Sequence, residues 1–318
     1  MLEAIRKTVA GRRVLILGFG REGRSTYRIL REAGGWRELA VADQAPRDPA
    51  LEPEIRWHTG PDYQDAMNQY DLVFKSPGIV LQREPGEYHC RITSQTQEFF
   101  QCYREQIIGI TGTKGKSTTT TMIYHILVEN GVKCLLAGNI GIPAFDVAER
   151  VEPDTVIVFE LSSHQLEYMT VSPRTAVLLN IHEEHLDHYG TMEKYVAAKK
   201  HIYLYQEKDD MFICGAQGLP LPGENHGRLY TAGEQGADIW LEHEKGTVHF
   251  GGHSYQIPTG QIKLLGEHNW FDIAVAYGVC RMNGITDQGF EQGLIGYEPL
   301  PHRLQYVGCW GDVKYYDD

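Results

Sequence analysis

The chain has 318 residues, 42% hydrophobic and 23% charged, a globular composition with room for two domains and part of a third. Its formal net charge of −12 argues against general binding to nucleic acid or acidic membranes, but leaves room for an anionic small molecule held by local dipoles and a few cations. Apolar runs are too short to span a bilayer, the N-terminus lacks a signal peptide's apolar core, and six scattered cysteines without a C-x-x-C pair read as free thiols, so a cytoplasmic location is expected.

The first predicted element is a strand, Arg13–Leu17, followed by the turn Gly18-Phe19-Gly20-Arg21-Glu22-Gly23 and a helix to about Ala33, stopped by Gly34-Gly35. A second strand over 39–42 ends at Asp43. Glycines at 18, 20 and 23 between strand and helix, with an acid closing the next strand, are the layout of a Rossmann-like mononucleotide site. A scaffold turn that binds nothing would look the same. A strand over 71–74 then delivers Ser76, in the loop Lys75-Ser76-Pro77-Gly78-Ile79, to a C-terminal sheet edge, where open α/β sheets bind ligands.

A new βα series starts near Gln106, and its first turn is the most informative part of the chain. The run 107–117 is an apolar strand, a turn Gly112-Thr113-Lys114-Gly115, then Lys116-Ser117 opening a threonine-rich segment. This is a triphosphate cradle: backbone N–H groups from Gly112 to Thr118 face the phosphates, Lys116 supplies a point charge, and the Ser117 hydroxyl ligates Mg²⁺. Ile110 occupies the place where the usual spacing has glycine. A chance Gly-Lys-Ser is disfavoured, because strand, turn and helix come in the order the chemistry needs. The following helix places Met122, Ile123, Ile126 and Leu127 on one face and ends at Gly131. Strands are predicted at 133–137, 155–160, 175–181 and 210–214, with a helix over 191–206, which indicates a largely parallel sheet. Short alternating runs over 228–265 predict antiparallel hairpins, 269–282 returns to helix, and two strand-like pieces follow residue 301.

Glu160 ends an apolar strand before Leu161-Ser162-Ser163, a position from which it could hold Mg²⁺; a solvated strand-end acid is the plain alternative. His182, His185 and His188 recur every three residues, which would align them on a helix. The pattern is not H-E-x-x-H and offers no fourth ligand, so zinc is disfavoured. One histidine with its carboxylates suits a second Mg²⁺, and the other histidines are expected at the surface. Lys199 and Lys200 read from spacing alone as a solvated helix face. Asn139, within Gly138-Asn139-Ile140-Gly141, reads equally as a phosphate or substrate contact and as a turn residue.

Together TGTKGKST (111–118), GNIG (138–141), ELSSHQLE (160–167), LNIHEEHLDHY (179–189), AAK (197–199), GEHN (266–269) and LPHR (300–303) resemble the Mur ligases, over roughly residues 10 to 318. The N-terminal glycine turn, the SPGI loop and ELSSHQLE are most similar to the branch that adds glutamate to UDP-N-acetylmuramoyl-L-alanine. The resemblance implies an α/β fold: a UDP-sugar-binding Rossmann-like domain over 1–103, a central ATPase-type parallel-sheet domain with added hairpins over 104–299, and a stub of a glutamate-binding domain over 300–318. It implies an ATP-dependent ligase working through an acyl phosphate, with two Mg²⁺ ions. Lys116 would contact the β/γ-phosphates, Ser117 and Glu160 the first ion, and His185 the second. Lys199 matches a lysine that the family carries as a carbamate, a metal-bridging anion. Asn139 and Ser162 would contact substrate or phosphate, Asn269 the base, Arg303 and Asp318 the nucleotide from the domain junction, and Gly18, Gly20, Gly23, Asp43 and Ser76 the UDP-sugar. Lys114 stands where the family usually has asparagine, and Gln44-Ala45 where it has small polar and basic residues. The implied partners are UDP-N-acetylmuramoyl-L-alanine and glutamate, for a monomer whose chain stops inside the linker to a third domain. Two other readings are a folylpolyglutamate-synthase-like ligase, disfavoured because such a chain would start at the phosphate loop, and a non-catalytic UDP-sugar and ATP-binding module.

Overall fold

A computed structural model describes residues 1–48, 52–242, 244–264, 266, 268–300, 305–310 and 313–317. The chain opens with α1 (Leu2–Val9), β1 (Arg13–Leu17), α2 (Arg21–Ala33), β2 (Glu38–Ala42), β3 (Arg56–His58), β4 (Leu72–Lys75), β5 (Arg91–Thr93) and α3 (Gln95–Tyr103). Its first sheet is parallel throughout, in the order β3-β2-β1-β4-β5. β1 lies in the middle with Val14 to Leu17 fully buried, which is why it reads as an unbroken apolar run. The strand order reverses between β1 and β4, so the glycine turn after β1 and the SPGI loop after β4 meet at a topological switch point.

The second sheet is built from β6 (Ile107–Thr111), α4 (Lys116–Glu129), β7 (Cys134–Gly138), α5 (Ala144–Val147), β8 (Val156–Glu160), α6 (Ser163–Leu166), β9 (Thr175–Leu178), α7 (Leu186–Tyr189), α8 (Met192–Lys200), β10 (Met211–Cys214) and β11 (Arg228–Gly233). β12 (Ile239–Glu242), β13 (Thr247–Phe250) and β14 (His253–Gln256) extend it to nine strands, ordered β14-β13-β12-β11-β10-β9-β6-β8-β7. β6 sits between β9 and β8, so the phosphate loop, Glu160 and the segment after β9 leave the same edge. α9 (His268–Met282) and α10 (Asp287–Gly296) pack with α4 on one face, around Ile110, Ile123, Ile126, Val275 and Phe290. At Gly293 a Cβ would come within 2.9 Å of Ile126 Cα, so glycine there lets α10 approach α4 closely. A hairpin, β15 (Gln305–Trp310) and β16 (Val313–Asp317), closes the chain.

α4 stops where its apolar stripe ends. Gly131, at φ +76°, donates to Val128 O, and Val132 N–H reaches Leu127 O at 3.0 Å, the paired bonds of a Schellman cap. The two sheets share one continuous apolar cluster running from Val14 and Phe74 to Phe99, Phe159 and Phe212. The seam is reinforced by polar contacts. Ser25 donates to Asp146 at 2.6 Å, Arg28 grips both Asp146 oxygens, and Gln95 accepts from Phe145 N–H at 2.7 Å while donating to Glu22 O. Among the described residues no helix is long and apolar enough to cross a membrane.

Three expectations need correction. The segment 228–265 is not all hairpin: β11 runs parallel to both β10 and β12, and only β12, β13 and β14 alternate in direction. Alternating apolar residues fix which side chains face inward but not strand direction, and the long connection from Gly215 to Gly227 permits a parallel return. The helix predicted over 191–206 ends at Lys200. Ile202 and Tyr203 then donate to carbonyls three residues back, tightening the chain out of α geometry while keeping both side chains in the core. The strand predicted over 175–181 ends at Leu178, because Asn180 turns away to serve the phosphate loop.

Candidate active site

The phosphate loop takes its shape from two features. Gly115 has φ +82°, and a Cβ there would lie 2.5 Å from Asp272 Oδ1 on α9, so only glycine fits. Asn180 holds the other half of the turn: its Oδ1 accepts from Thr113 N–H at 3.0 Å and Lys114 N–H at 2.8 Å, and its Nδ2 donates to Lys114 O at 3.1 Å. Within the expected cradle, 112–118, the Thr113 and Lys114 amides are held by Asn180. The N–H groups at the start of α4 precede its first intrahelical bond, Thr119 N–H to Gly115 O, the position at which a helix start favours an anion. Thr113 Oγ1 also lies 3.0 Å from Tyr195 OH and accepts from His182 N–H at 2.9 Å, tying the loop to the segment after β9. Lys116 Nζ rests on Thr113 O at 2.9 Å. Sequence reasoning missed Asn180; its signal was its place just past a strand end beside the switch point. Asn180→Ala should weaken ADP binding about tenfold by calorimetry, since both backbone groups of Lys114 lose their partner and Thr113 N–H is left with the residue-180 carbonyl, while the fold persists.

A cavity of about 330 Å³ opens in front of this loop, with Pro77 and Gly78 on one lip and Lys116, Asn139, His185 and Lys199 on the others. Glu160, 1% exposed, stands just behind it. Asn139 donates to Glu160 Oε1 at 2.7 Å, so Asn139 is more than a turn residue; Oε2 is buried with no hydrogen-bond partner. A buried carboxylate oxygen without a partner is costly unless something positive completes it. Gly138, at φ +100° and with its would-be Cβ 2.2 Å from Glu160 O, allows Asn139 to come this close.

Lys199 overturns the solvated-face reading, being 1% exposed. Its Nζ donates to Gly112 O at 2.8 Å and reaches Thr111 Oγ1 at 3.4 Å, and among the described residues no carboxylate lies at ion-pair distance. Burial, reinforced by the charge of Lys116, lowers its pKa to about 7.

The three histidines do not line a helix, because α7 is a single turn preceded by His185 in the left-handed region at φ 57°. Of the histidines expected at the surface, His182 is exposed but His188 is not: its side chain is 7% exposed and bonds Glu167 at 3.2 Å, and the His164 ring packs 4.3 Å from His188 and 4.8 Å from His185. Burial, then the charges of His188 and His185, push the His164 pKa down to about 4, leaving a neutral ring. Among the described residues no three His, Cys, Asp or Glu side chains converge into a ready-made metal cage.

On the first sheet the glycine turn is built for close approach. A Cβ on Gly23 would lie 2.1 Å from Gly18 O, and Gly18 itself has φ +87°. Gly20 caps α2. Ser76 Oγ donates to Gly18 O at 2.9 Å, and Asp43 accepts from Phe19 N–H at 2.6 Å and Ala45 N–H at 2.8 Å, so both side chains brace the turn. Ser162 lines the cleft while its hydroxyl caps α6 through Gln165 N–H. Asn269 lies in the first turn of α9, 8% exposed. Arg303 and Asp318 lie outside the described residues.

Residues 110–280 match the family described as the Mur ligase middle domain. The UDP-N-acetylmuramoylalanine–D-glutamate ligase of Acetivibrio thermocellus is 35% identical over an alignment covering 100% of this chain and 71% of that protein. The chain belongs to the Mur ligase family. The enzyme of the same name from Geobacillus kaustophilus is 32% identical, across 96% of this chain and 71% of its own length. Solved Mur ligases share the fold at lower identity. The UDP-N-acetylmuramate:L-alanyl-γ-D-glutamyl-meso-diaminopimelate ligase from Neisseria superposes with TM-score 0.58 at 17% identity, covering 92% of this chain and 99% of that one. The MurF ligase from Thermotoga maritima, solved in complex with ADP, gives 0.54 at 16% identity, covering 95% and 67%.

Proposed function

We propose that this Mur ligase couples ATP cleavage to formation of an amide between UDP-N-acetylmuramoyl-L-alanine and D-glutamate, a step of peptidoglycan synthesis in the cytoplasm. The observation that carries this reading is the convergence of Lys116, Asn139, His185 and Lys199 on one cleft, with Glu160 bonded behind Asn139 and the opposite lip belonging to the glycine-turn sheet. The division of labour follows the two sheets: residues 1–103 hold the UDP-sugar on the glycine turn and the Ser76 loop, and residues 104–299 hold the triphosphate. A separate cavity of about 520 Å³, bordered by Leu179, Gly215 and Phe271, meets the loop's staple at Asn180 and has room for the nucleoside.

In the first half-reaction an oxygen of the L-alanyl carboxylate attacks the γ-phosphorus, and the bond to ADP breaks with its electron pair leaving on ADP. The α4 amides and Lys116 neutralise the charge on the phosphates and keep donor and acceptor in line. In the second, the D-glutamate amine attacks the acyl carbon, loses a proton, and phosphate leaves. The partnerless Glu160 oxygen would suit Mg²⁺, with Ser117 at the start of α4 as a further ligand and His185 of the cleft for a second ion; when bound, the ion would supply further neutralisation of the transferring phosphoryl group. The Lys199 amine, with its pKa lowered to about 7, has a neutral fraction near pH 7 that is suited to take up CO₂: an N–C bond forms, a proton leaves, and the buried amine becomes an anion facing the cleft. The test is direct. Phosphate release should require ATP, UDP-N-acetylmuramoyl-L-alanine and D-glutamate together, and calorimetry should detect the UDP compound but not a folate. Binding of folate alone would sink the assignment.

A further inference from the structure

No step above uses Lys75, although it is only 5% exposed at the C-terminal end of β4. Its Nζ donates to the carbonyl oxygens of Ser76 at 3.4 Å and Pro77 at 3.3 Å, in the loop that forms one lip of the cleft. From the other sheet, Glu167 brings Oε2 to 3.7 Å and Tyr168 offers its ring face at 5.2 Å. The same Glu167 oxygen bonds His188 Nε2 at 3.2 Å, and His188 N–H donates to His185 O at 3.0 Å. The space beside the amine is about 20 Å³, enough for no more than one water, so no substrate reaches Lys75.

We propose that Lys75 is a positioning residue: clamped by Glu167, its buried ammonium holds the Ser76 and Pro77 carbonyls and sets the register between the UDP-sugar lip and the His185 segment. Without the charge, Pro77 O loses its partner, Ser76 O is left with Ile79 N–H and Glu167 with His188, in a site water barely enters. The loop cannot shift alone. Ser76 also holds Gly18 O through its hydroxyl and Leu17 O through its N–H, so a displacement passes to the glycine turn. Lys75 thus acts on the reaction through the seam between the sheets, and a misplacement of the order of an ångström at a reacting group costs about a hundredfold in rate.

The inference rests on the UDP-sugar reading above, and its test separates the two. Calorimetry with UDP-N-acetylmuramoyl-L-alanine, and with ADP as control, compares the wild type, Lys75→Met, Glu167→Gln and the double variant. Each single variant should weaken the UDP compound about tenfold or more, the double should be no weaker than Lys75→Met, and ADP affinity should stay within about twofold. Unchanged affinity for the UDP compound, equal losses for both ligands, or losses that multiply in the double variant would each overturn the clamp. Glu167→Gln, which keeps the side-chain shape, decides the matter if Lys75→Met does not fold. A wild type that binds ADP but not the UDP compound overturns the functional reading, and the clamp with it.

Discussion

Replacing Lys199 with methionine should lower ligase turnover by about three orders of magnitude while raising the melting temperature. The two effects have one origin. In the resting protein the amine is 1% exposed, with acceptors at Gly112 and Thr111 but no carboxylate at ion-pair distance among the described residues. A buried charge paired so thinly opposes folding, and an apolar chain of similar length removes that opposition at the cost of one partner for Gly112 O. The net gain should be about 1–3 kcal/mol, or a few degrees in a chain of this size. Turnover falls because methionine can take neither a proton nor CO₂. Labelled ¹³CO₂ should give a carbamate resonance in the wild type and none in the variant. Full turnover by Lys199→Met would remove Lys199 from the chemistry.

Asp272→Asn should stabilise the protein strongly at pH 8 and far less at pH 5. Asp272 is 4% exposed against Gly115, and burial raises its carboxyl from the usual 3.8 to about 7 despite the nearby Thr119 hydroxyl. Because the folded state binds this proton more tightly than the unfolded chain, stability is lost as pH climbs from 4 to 7, and the full penalty applies above 7. A shift of this size corresponds to about 4 kcal/mol, which asparagine escapes because it does not ionise. Urea unfolding at the two pH values reads the difference. The nucleotide should report it as well: phosphate bound in the loop favours the protonated acid, so ADP binding near pH 8 should take up a proton in the wild type. Buffers of different ionisation heat would reveal that uptake, which the variant should lack. Parallel pH profiles for the two proteins would show that Asp272 does not titrate in this range.

The parts of the site legible in the sequence are those whose determinants sit within one strand, turn and helix. Gly18 to Gly23 and Gly112 to Ser117 specify their turns locally, and Glu160 announces itself as the acid closing an apolar strand. Lys199 was legible only through family resemblance, because its burial depends on docking against Gly112, 87 positions earlier. The Asn180 staple bridges 66 positions and the Glu160 cap 21, distances over which spacing carries no information. Lys75 did leave a local trace: a lysine ending the strand Leu72–Lys75, in which every residue is buried, must find partners indoors. Strand direction in β11 left none, since alternation is the same either way.

The bond from Asn139 to Glu160 also decides which ions suit this carboxylate. With Oε1 held by the amide, one oxygen remains, and a cation docking there meets a monodentate ligand. Calcium favours crowded shells of six to eight oxygens, often with a carboxylate gripping through both. Magnesium prefers six ligands at short, near-octahedral distances, several of them water or phosphate. On the proposed Mg²⁺ reading, a side chain that never touches the metal would thus filter ions by size and coordination number, favouring the smaller ion that travels with ATP.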